Sequence, residues 1–539
     1  VRAKIEIQRR FQQVVAWSRR VRKAARDDRG AAAVIFAVAT IVLAPLTLGV
    51  MDIYLASAQR NQLQDALDAA TLFAARSNAT ATSTPSIQTV GSGALKGNLQ
   101  LPQGVTLVSS SFTLTGSTVT GYAETTPSAL APGLWAHTNI KANSTVIRSL
   151  DRLEVALVLD NTGSMAGTKL SNLKTASNNL IDTLAAAAAQ STDPVPLRMS
   201  LVPFSMTVRV QGTTPTTNYN TTTHSGTGFP TWIDPQAKAD VALGLDTMAV
   251  QSDRFTLLKQ MNKTPWEGCI ETRRQPYDVQ DTPPNPAVPA TMFVPFFWPD
   301  EPDLIANFTG YQNDYLGDQG QGSWTWLQRE KNQLKYTVAP KTGTQPNGAY
   351  AYGPNGGCAM QPIIRLTANT ASIKTAVNAM VAVGDTNIPL GMMWGWHTLS
   401  PNAPFADGSA YGTQHLQKVM ILMTDGDNTM GDPPSSAELN KSYFSGLGYI
   451  WQGILGITSG TTAQRQTAMD NRQALVCANM KAQGITIYTV RVEVTTGPSP
   501  VLQACASSPD KYYDVQDVTT LNAVFASIAG SINSLRISH

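Results

Sequence analysis

Histidine and cysteine are both scarce in this chain, five of one and four of the other among 539 residues. His137, His224, His397, His415 and His539 are scattered, with no pair at metal-ligand spacing and no evident nucleophile partner. Histidine-based catalysis therefore finds no support. A Walker lysine loop and a dinucleotide fingerprint are missing too, so the chain is read as a non-enzyme. None of the cysteines has the two-residue spacing of zinc or redox motifs. They fall into two wide pairs, Cys269 with Cys358 and Cys477 with Cys505, which suit disulfides in an oxidising compartment. Free buried thiols are the alternative.

Charge is absent altogether from Ala31 to Met51. At about 1.5 Å per residue, a helix of that length spans about 31 Å, the thickness of a bilayer's hydrocarbon core. This is a transmembrane helix, with Pro45 as a kink; a buried core helix and a cleaved signal peptide are the other readings. The net charge of +3 hides a split: residues 1–29 carry ten Lys/Arg against three acids, and the rest carries thirty against thirty-four. Such a bias before the span places the N-terminus in the cytoplasm and the bulk of the chain outside. It also turns the basic end from nucleic acid, which is not an expected partner, toward the membrane. Ile5 to Ala25 mixes apolar and basic residues and reads equally as an interfacial amphipathic helix or a plain cytoplasmic tail.

Two apolar runs end in oxygen donors. Leu157-Val158-Leu159 leads into Asp160-Asn161-Thr162-Gly163-Ser164, and Val419-Met420-Ile421-Leu422-Met423-Thr424 leads into Asp425-Gly426-Asp427. Each reads as a buried strand delivering a carboxylate, and parallel sheets place ligand sites at the carboxyl ends of their strands. Magnesium wants about six oxygens at roughly 2.0–2.1 Å, which hydroxyls on alternate loop residues and a strand-end Asp can supply. The bland alternative is turn chemistry, with Ser164 capping the helix outlined by Lys169, Leu173, Ala176 and Leu180. A calcium loop from Asp425 fails, because Met430 and Ser436 stand where the EF-hand needs Gly and Glu.

Together these segments resemble the metal-ion-dependent adhesion site of von Willebrand factor type A (vWA) domains, with Thr162 standing for the first serine of Asp-x-Ser-x-Ser. The resemblance implies a divalent cation, Mg2+ or Mn2+, held by Asp160, Thr162, Ser164, Asp425 and a threonine from an intervening loop. Thr386 is the best candidate, with Asp385 and Asn387 behind it. It further implies that an open coordination position accepts a partner's carboxylate, so the site recognises rather than turns over. His397 and His415 lie in sequence between Thr386 and Asp425, but core or exposed positions are the default for both.

Gly30-Ala31-Ala32-Ala33-Val34-Ile35-Phe36-Ala37 and the Ala/Asp-rich run from Ser57 to Ala70 resemble the N-terminal segment of TadG-like proteins of the Tad/Flp pilus system. So do Leu390-Gly391-Met392-Met393-Trp394-Gly395-Trp396, Tyr488-Thr489-Val490 and Tyr512-Tyr513-Asp514 further on. Ile35 stands where processed pilins carry Glu, which argues against prepilin cleavage after Gly30 and for an anchored accessory component. Residues 78–100, rich in Ser, Thr, Ala and Gly, read as a linker before a small β region that runs to about 147. An insertion at 205–363 holds Trp232, Trp266, Trp298, Trp324 and Trp326; packing is favoured for them over a recognition surface.

The expected fold is α/β. It comprises a doubly wound, Rossmann-like vWA sheet with a large insertion, preceded by a single N-terminal transmembrane helix and a small pilin-like α+β region. The expected divisions are 1–29 cytoplasmic, 30–54 transmembrane, 55–150 pilin-like and 151–539 vWA, in a bacterial cytoplasmic membrane with the bulk periplasmic or extracellular. Expected partners are pilus assembly proteins or an extracellular protein ligand offering a carboxylate. The rival functions are a stand-alone envelope adhesin or sensor and a metal-dependent hydrolase.

Overall fold

The computed structural model describes residues 28–77, 79–115, 118–128, 130, 138–147, 152–191, 193–248, 253–303, 313–317, 323–338, 353–432, 440–494 and 497–537. The basic segment 1–29, apart from its last two residues, lies outside them, as do His137 and His539. The chain is mixed α/β and divides into two units, 1–148 and 149–539.

The first unit is built on helix α1 (Asp28–Arg76), which is continuous through Pro45. Its early part exposes Ile35, Phe36, Ile41, Leu43, Leu46 and Val50. Among the described residues this is the one helix apolar and long enough for a membrane span or a signal sequence. Further along, Leu63, Ala66, Leu67, Ala70 and Ala74 are buried, the three-and-four spacing of a helix face turned to a core. That face meets helix α2 (Ile87–Asn98) and strands β1 (Leu107–Thr115), β2 (Thr118–Thr125) and β3 (Ile140–Ile147), an antiparallel sheet in the order β1-β2-β3. Gly121 is required at the crossing, because a Cβ there would stand 2.2 Å from Thr71 Oγ1.

Helix α2 corrects the linker expected over 78–100. Ser86 caps it by accepting from Thr89 N, and Ile87, Gly91 and Leu95 are buried. A Cβ on Gly91 would meet the Phe112 ring at 2.3 Å. The small residues that suggested a linker are what lets the helix lie close on the sheet.

The second unit contains β4 (Arg152–Asp160), α3 (Thr168–Ala188), β5 (Leu197–Phe204), β6 (Ile364–Thr367), α4 (Thr370–Asn378), α5 (Ile388–Leu399), β7 (Leu416–Thr424), α6 (Thr462–Ala482), β8 (Thr486–Val492), α7 (Pro500–Cys505), β9 (Tyr512–Val515) and α8 (Leu521–Ile537). The strands form one sheet in the order β6-β5-β4-β7-β8-β9. All pairings are parallel except that of β6 with β5. Strand β4 is buried from Leu153 to Asp160, and its alternate side chains serve two cores. Leu153, Val155, Leu157 and Leu159 pack with Leu173, Leu180, Ile373, Phe525 and Ile532 of α3, α4 and α8. Ala156 and Val158 pack with Met392, Trp394 and Val476 of α5 and α6 and with the insertion. A strand covered on both faces reads as an apolar run, here Val155–Leu159 beyond Glu154.

Helix α5 approaches the sheet through glycines four residues apart: a Cβ on Gly391 would meet Phe204 Cγ at 2.5 Å, and one on Gly395 would meet Val158 Cγ2 at 2.4 Å. The insertion has short elements and an aromatic interior that includes Tyr219, Phe255, Trp266, Phe293, Tyr315 and Tyr336. Trp232 packs against Phe293 and Trp394, with ring centroids 5.4 and 5.7 Å away. Trp298 is buried as well, whereas Trp324 is exposed. Both cysteine pairs, Cys269–Cys358 and Cys477–Cys505, are bonded.

Candidate metal centre

Strands β4 and β7 are adjacent and parallel, with Leu159 level with Met423, so their carboxyl ends bring Asp160 and Asp425 to one edge of the sheet. Beyond β4 the chain makes a short 3-10 turn, Gly163–Met165. Gly167, not Ser164, is the N-cap of α3. The Ser164 hydroxyl is therefore free of capping and instead donates to Asp425 Oδ1 at 2.7 Å, while standing 3.0 Å from Thr162 Oγ1. Asp160 Oδ1 accepts from Thr162 N at 2.8 Å, and its Oδ2 accepts from the Thr424 hydroxyl at 2.7 Å. Lys169, on the first turn of α3, donates to Asp425 Oδ2 at 2.8 Å.

Four of the five residues singled out from the sequence, Asp160, Thr162, Ser164 and Asp425, thus share one hydrogen-bonded cluster. Thr386 joins it through backbone: Gly163 N donates to Gly384 O at 3.0 Å, Val383 N to Asn161 O at 2.8 Å, and Thr429 N to Thr386 O at 2.8 Å. These bonds clamp the loops after β4 and β7 to the loop before α5. Asn387 accepts from Leu390 N and so caps α5. Asp385 is held above the usual carboxylate range by burial. His397 lies in the core, edge-on to Trp394 and Phe293, and burial, with Arg273 nearby, keeps its imidazole neutral far below the usual histidine range. His415 accepts from Arg152 N through its carbonyl, at the opposite end of β4 and roughly 26 Å from Asp160 at 3.3 Å per residue.

The donor chemistry fits a hard cation. Two carboxylates and two hydroxyls face one another, and hard divalent ions take oxygen ligands. Asp160 is fully buried. Burial pushes its carboxyl up to about 6, against the pull of the Thr424 and Thr162 hydrogen bonds, and the neighbouring Asp425 charge adds to the rise. The Asp425 side chain is equally inaccessible, and Lys169 is the cation within hydrogen-bonding distance of it. Two buried carboxylates against one ammonium leave room for further positive charge, since buried anions are costly without partners. No cluster of three or more His, Cys, Asp or Glu residues is found among the described residues, so any ion here would depend on hydroxyl oxygens. Thr424 and Lys169 were not singled out from the sequence as site residues. The signal that could have marked Thr424 is its place as the last residue of β7.

No family model matches the chain, and no curated protein matches it. Among solved structures it is similar to the pilus adhesin SpaC from Lactobacillus rhamnosus GG, at 12% identity and a TM-score of 0.30, over 81% of this chain and 36% of that one. The chain therefore spans about a third of that adhesin. It is also similar to the vWF domain of the type V pili tip protein Mfa5 from Porphyromonas gingivalis, at 10% identity and a TM-score of 0.32, over 72% of this chain and 97% of that one. A third is proximal thread matrix protein 1 from the mussel byssus, solved with a zinc-occupied MIDAS motif, at 10% identity and a TM-score of 0.27, over 72% of this chain and 47% of that one. Likeness at this level transfers neither a role nor a ligand.

Proposed function

We propose that the second unit is a vWA domain, a doubly wound sheet whose metal-ion-dependent adhesion site holds Mg2+ or Mn2+ through Asp160, Thr162, Ser164 and Asp425, with Thr386 supplying a further oxygen. The observation that carries this reading is the hydrogen-bonded set Asp160–Thr162–Ser164–Asp425 at the carboxyl ends of adjacent central strands. The strand order, with one antiparallel edge strand and helices against both faces, supports it. A bound ion would supply Lewis acidity toward a carboxylate oxygen. The chain's own part is to orient the oxygens: Thr424 and Thr162 fix the Asp160 carboxylate, Ser164 fixes Asp425, and the loop clamp holds the hydroxyls in place. Among the described residues no imidazole stands at the cluster to act as a base, His397 being in the core and His415 at the opposite end of β4, which favours a recognition reading over hydrolysis.

The chain is further read as a TadG-like protein anchored by α1, N-terminus inside, that engages pilus assembly proteins or an extracellular ligand in Tad/Flp pilus assembly or surface adhesion. Retention of the helix is supported by its continuity into the first unit. Gln59, just past Ser57-Ala58, donates to Thr125 Oγ1 at 2.9 Å and to Thr126 O at 2.8 Å, and accepts from Ser128 N at 2.8 Å. The test is calorimetric titration of Mg2+ and Mn2+ into the full chain in detergent, beside Asp160→Ala and Asp425→Ala. Saturable binding lost in both variants, with unchanged circular dichroism, is the expected result. Binding of neither ion, by the wild type or by a Lys169→Met variant that frees Asp425 Oδ2, refutes the metal site.

A further inference from the structure

We propose that the Lys169 ammonium is a tethered competitor for the cation at Asp425, displaced toward Glu493 when a divalent ion arrives; this rests on the metal site proposed above. Lys169 Nζ lies 2.8 Å from Asp425 Oδ2, the carboxylate oxygen that Ser164 leaves open, and 4.0 Å from Glu493 Oε2. The Asp425 side chain is wholly buried, that of Lys169 is 23% exposed and that of Glu493 33% exposed. The ammonium therefore stands on a path from an enclosed carboxylate to a more open one.

The backbone around Glu493 places that second carboxylate. Glu493 follows β8, the neighbour of β7, and sits in the left-handed region at φ 51°, a conformation uncommon for a residue with a side chain. Its N–H donates to Val515 O at 2.7 Å, and its Oε1 accepts from Val518 N at 3.4 Å. The carboxylate is thus held at the rim by bonds to β9 and the turn after it.

A divalent ion on Asp425 would bring two positive charges within a few ångströms of the ammonium. At part-buried sites such repulsion is only weakly screened. Lysine has a flexible four-carbon stem and a strongly hydrated head, so it can retreat without disturbing α3. With Lys169 on Asp425, the buried carboxylate pair is partly neutralised before any ion binds. The same contact lowers the site's apparent affinity, because an ion must first displace the ammonium.

The experiment is Mn2+ titration of the full chain in detergent for wild type, Lys169→Met, Glu493→Gln and the double variant, with melting temperatures in chelator and in saturating Mn2+. Lys169→Met should tighten Mn2+ binding about fivefold to tenfold, the scale of one part-buried ion pair, and should lower the melting temperature in chelator more than in Mn2+. Glu493→Gln should weaken binding when Lys169 is present and have no effect in the Lys169→Met background, a coupling that a cycle of single and double variants isolates. Equal or weaker binding by a folded Lys169→Met protein, beside a wild type that binds, overturns the inference and leaves the metal site standing. Binding by Lys169→Met alone supports the inference in its strongest form. If neither protein binds, both the inference and the metal site fail. An equal Glu493→Gln effect in both backgrounds overturns the retreat toward Glu493.

Discussion

Thr424→Val is the most direct probe of how this sheet prepares its edge. The substitution keeps the shape and removes one hydroxyl, fully buried, that donates to Asp160 Oδ2 at 2.7 Å. Asp160 would keep its hydrogen bonds from Thr162, among them the N–H at 2.8 Å on its other oxygen. Hydrogen bonds to charged groups contribute about 1.5–3 kcal/mol, and leaving a buried acceptor unmet costs a similar amount. Unfolding in urea without divalent ions should therefore show a loss of about 2 kcal/mol. Residues that orient a metal ligand typically change affinity by about 10–100-fold when removed, so Mn2+ affinity should fall by at least about tenfold. A folded variant that binds Mn2+ within a factor of about two of wild type would refute the reasoning. It would mean that the Asp160 carboxylate is oriented without Thr424, or that it does not touch the ion.

Other outcomes follow from the same structure. Glu154 is buried and holds Lys418 and Arg198, with Ser409 Oγ at 2.7 Å; burial alone would raise its carboxyl, but these partners outweigh it and hold it below the usual range. Glu154→Ala should cost about 3–5 kcal/mol in urea unfolding by leaving the Lys418 charge buried and unpaired, and Glu154→Leu with Lys418→Met should recover much of that loss. Glu330 is pushed up to about 7 by burial and by the Glu301 charge, against an Asn440 hydrogen bond. The folded state therefore binds the extra proton, and stability falls as pH rises from about 4.5 through about 7. Glu330→Gln should remove this slope, so its advantage over wild type grows by up to about 3 kcal/mol between pH 5 and 8, read from denaturation midpoints. Gly395→Ala should cost about 1–3 kcal/mol, because its Cβ would overlap Val158 Cγ2 at 2.4 Å and Met420 Cε at 2.6 Å; an unchanged melting temperature would contradict the close approach of α5.

Much of the architecture was legible because the physics is local. A parallel strand covered on both faces is largely apolar, so Leu157–Leu159 and Val419–Met423 announce themselves as runs. An uncharged stretch from Ala31 to Met51 needs no tertiary context to read as a long apolar helix. The Asp160-Thr162-Ser164 spacing is likewise visible, since a strand end and its loop are contiguous in sequence. Helix α2 was not legible. Its Ser, Thr and Gly content carries weak helix propensity, and its stability comes from burying Ile87, Gly91 and Leu95 against β1, a contact that composition does not record. The insertion had no periodic signal because its core is assembled from short pieces.

The sequence alone thus determined the donors at each strand end, the apolar runs behind them and the wide spacing of the cysteines. Which ends meet was decided only by tertiary structure. Asp160 and Asp425 are 265 positions apart in number, and the parallel register of β4 with β7 sets them side by side. The roles of Thr424 and Lys169 have the same origin. A threonine closing a strand and a lysine opening a helix are ordinary residues until the fold buries a carboxylate within 2.8 Å of each. Burial is a property of the whole chain, and it turns those hydrogen bonds from replaceable by water into ones the site depends on.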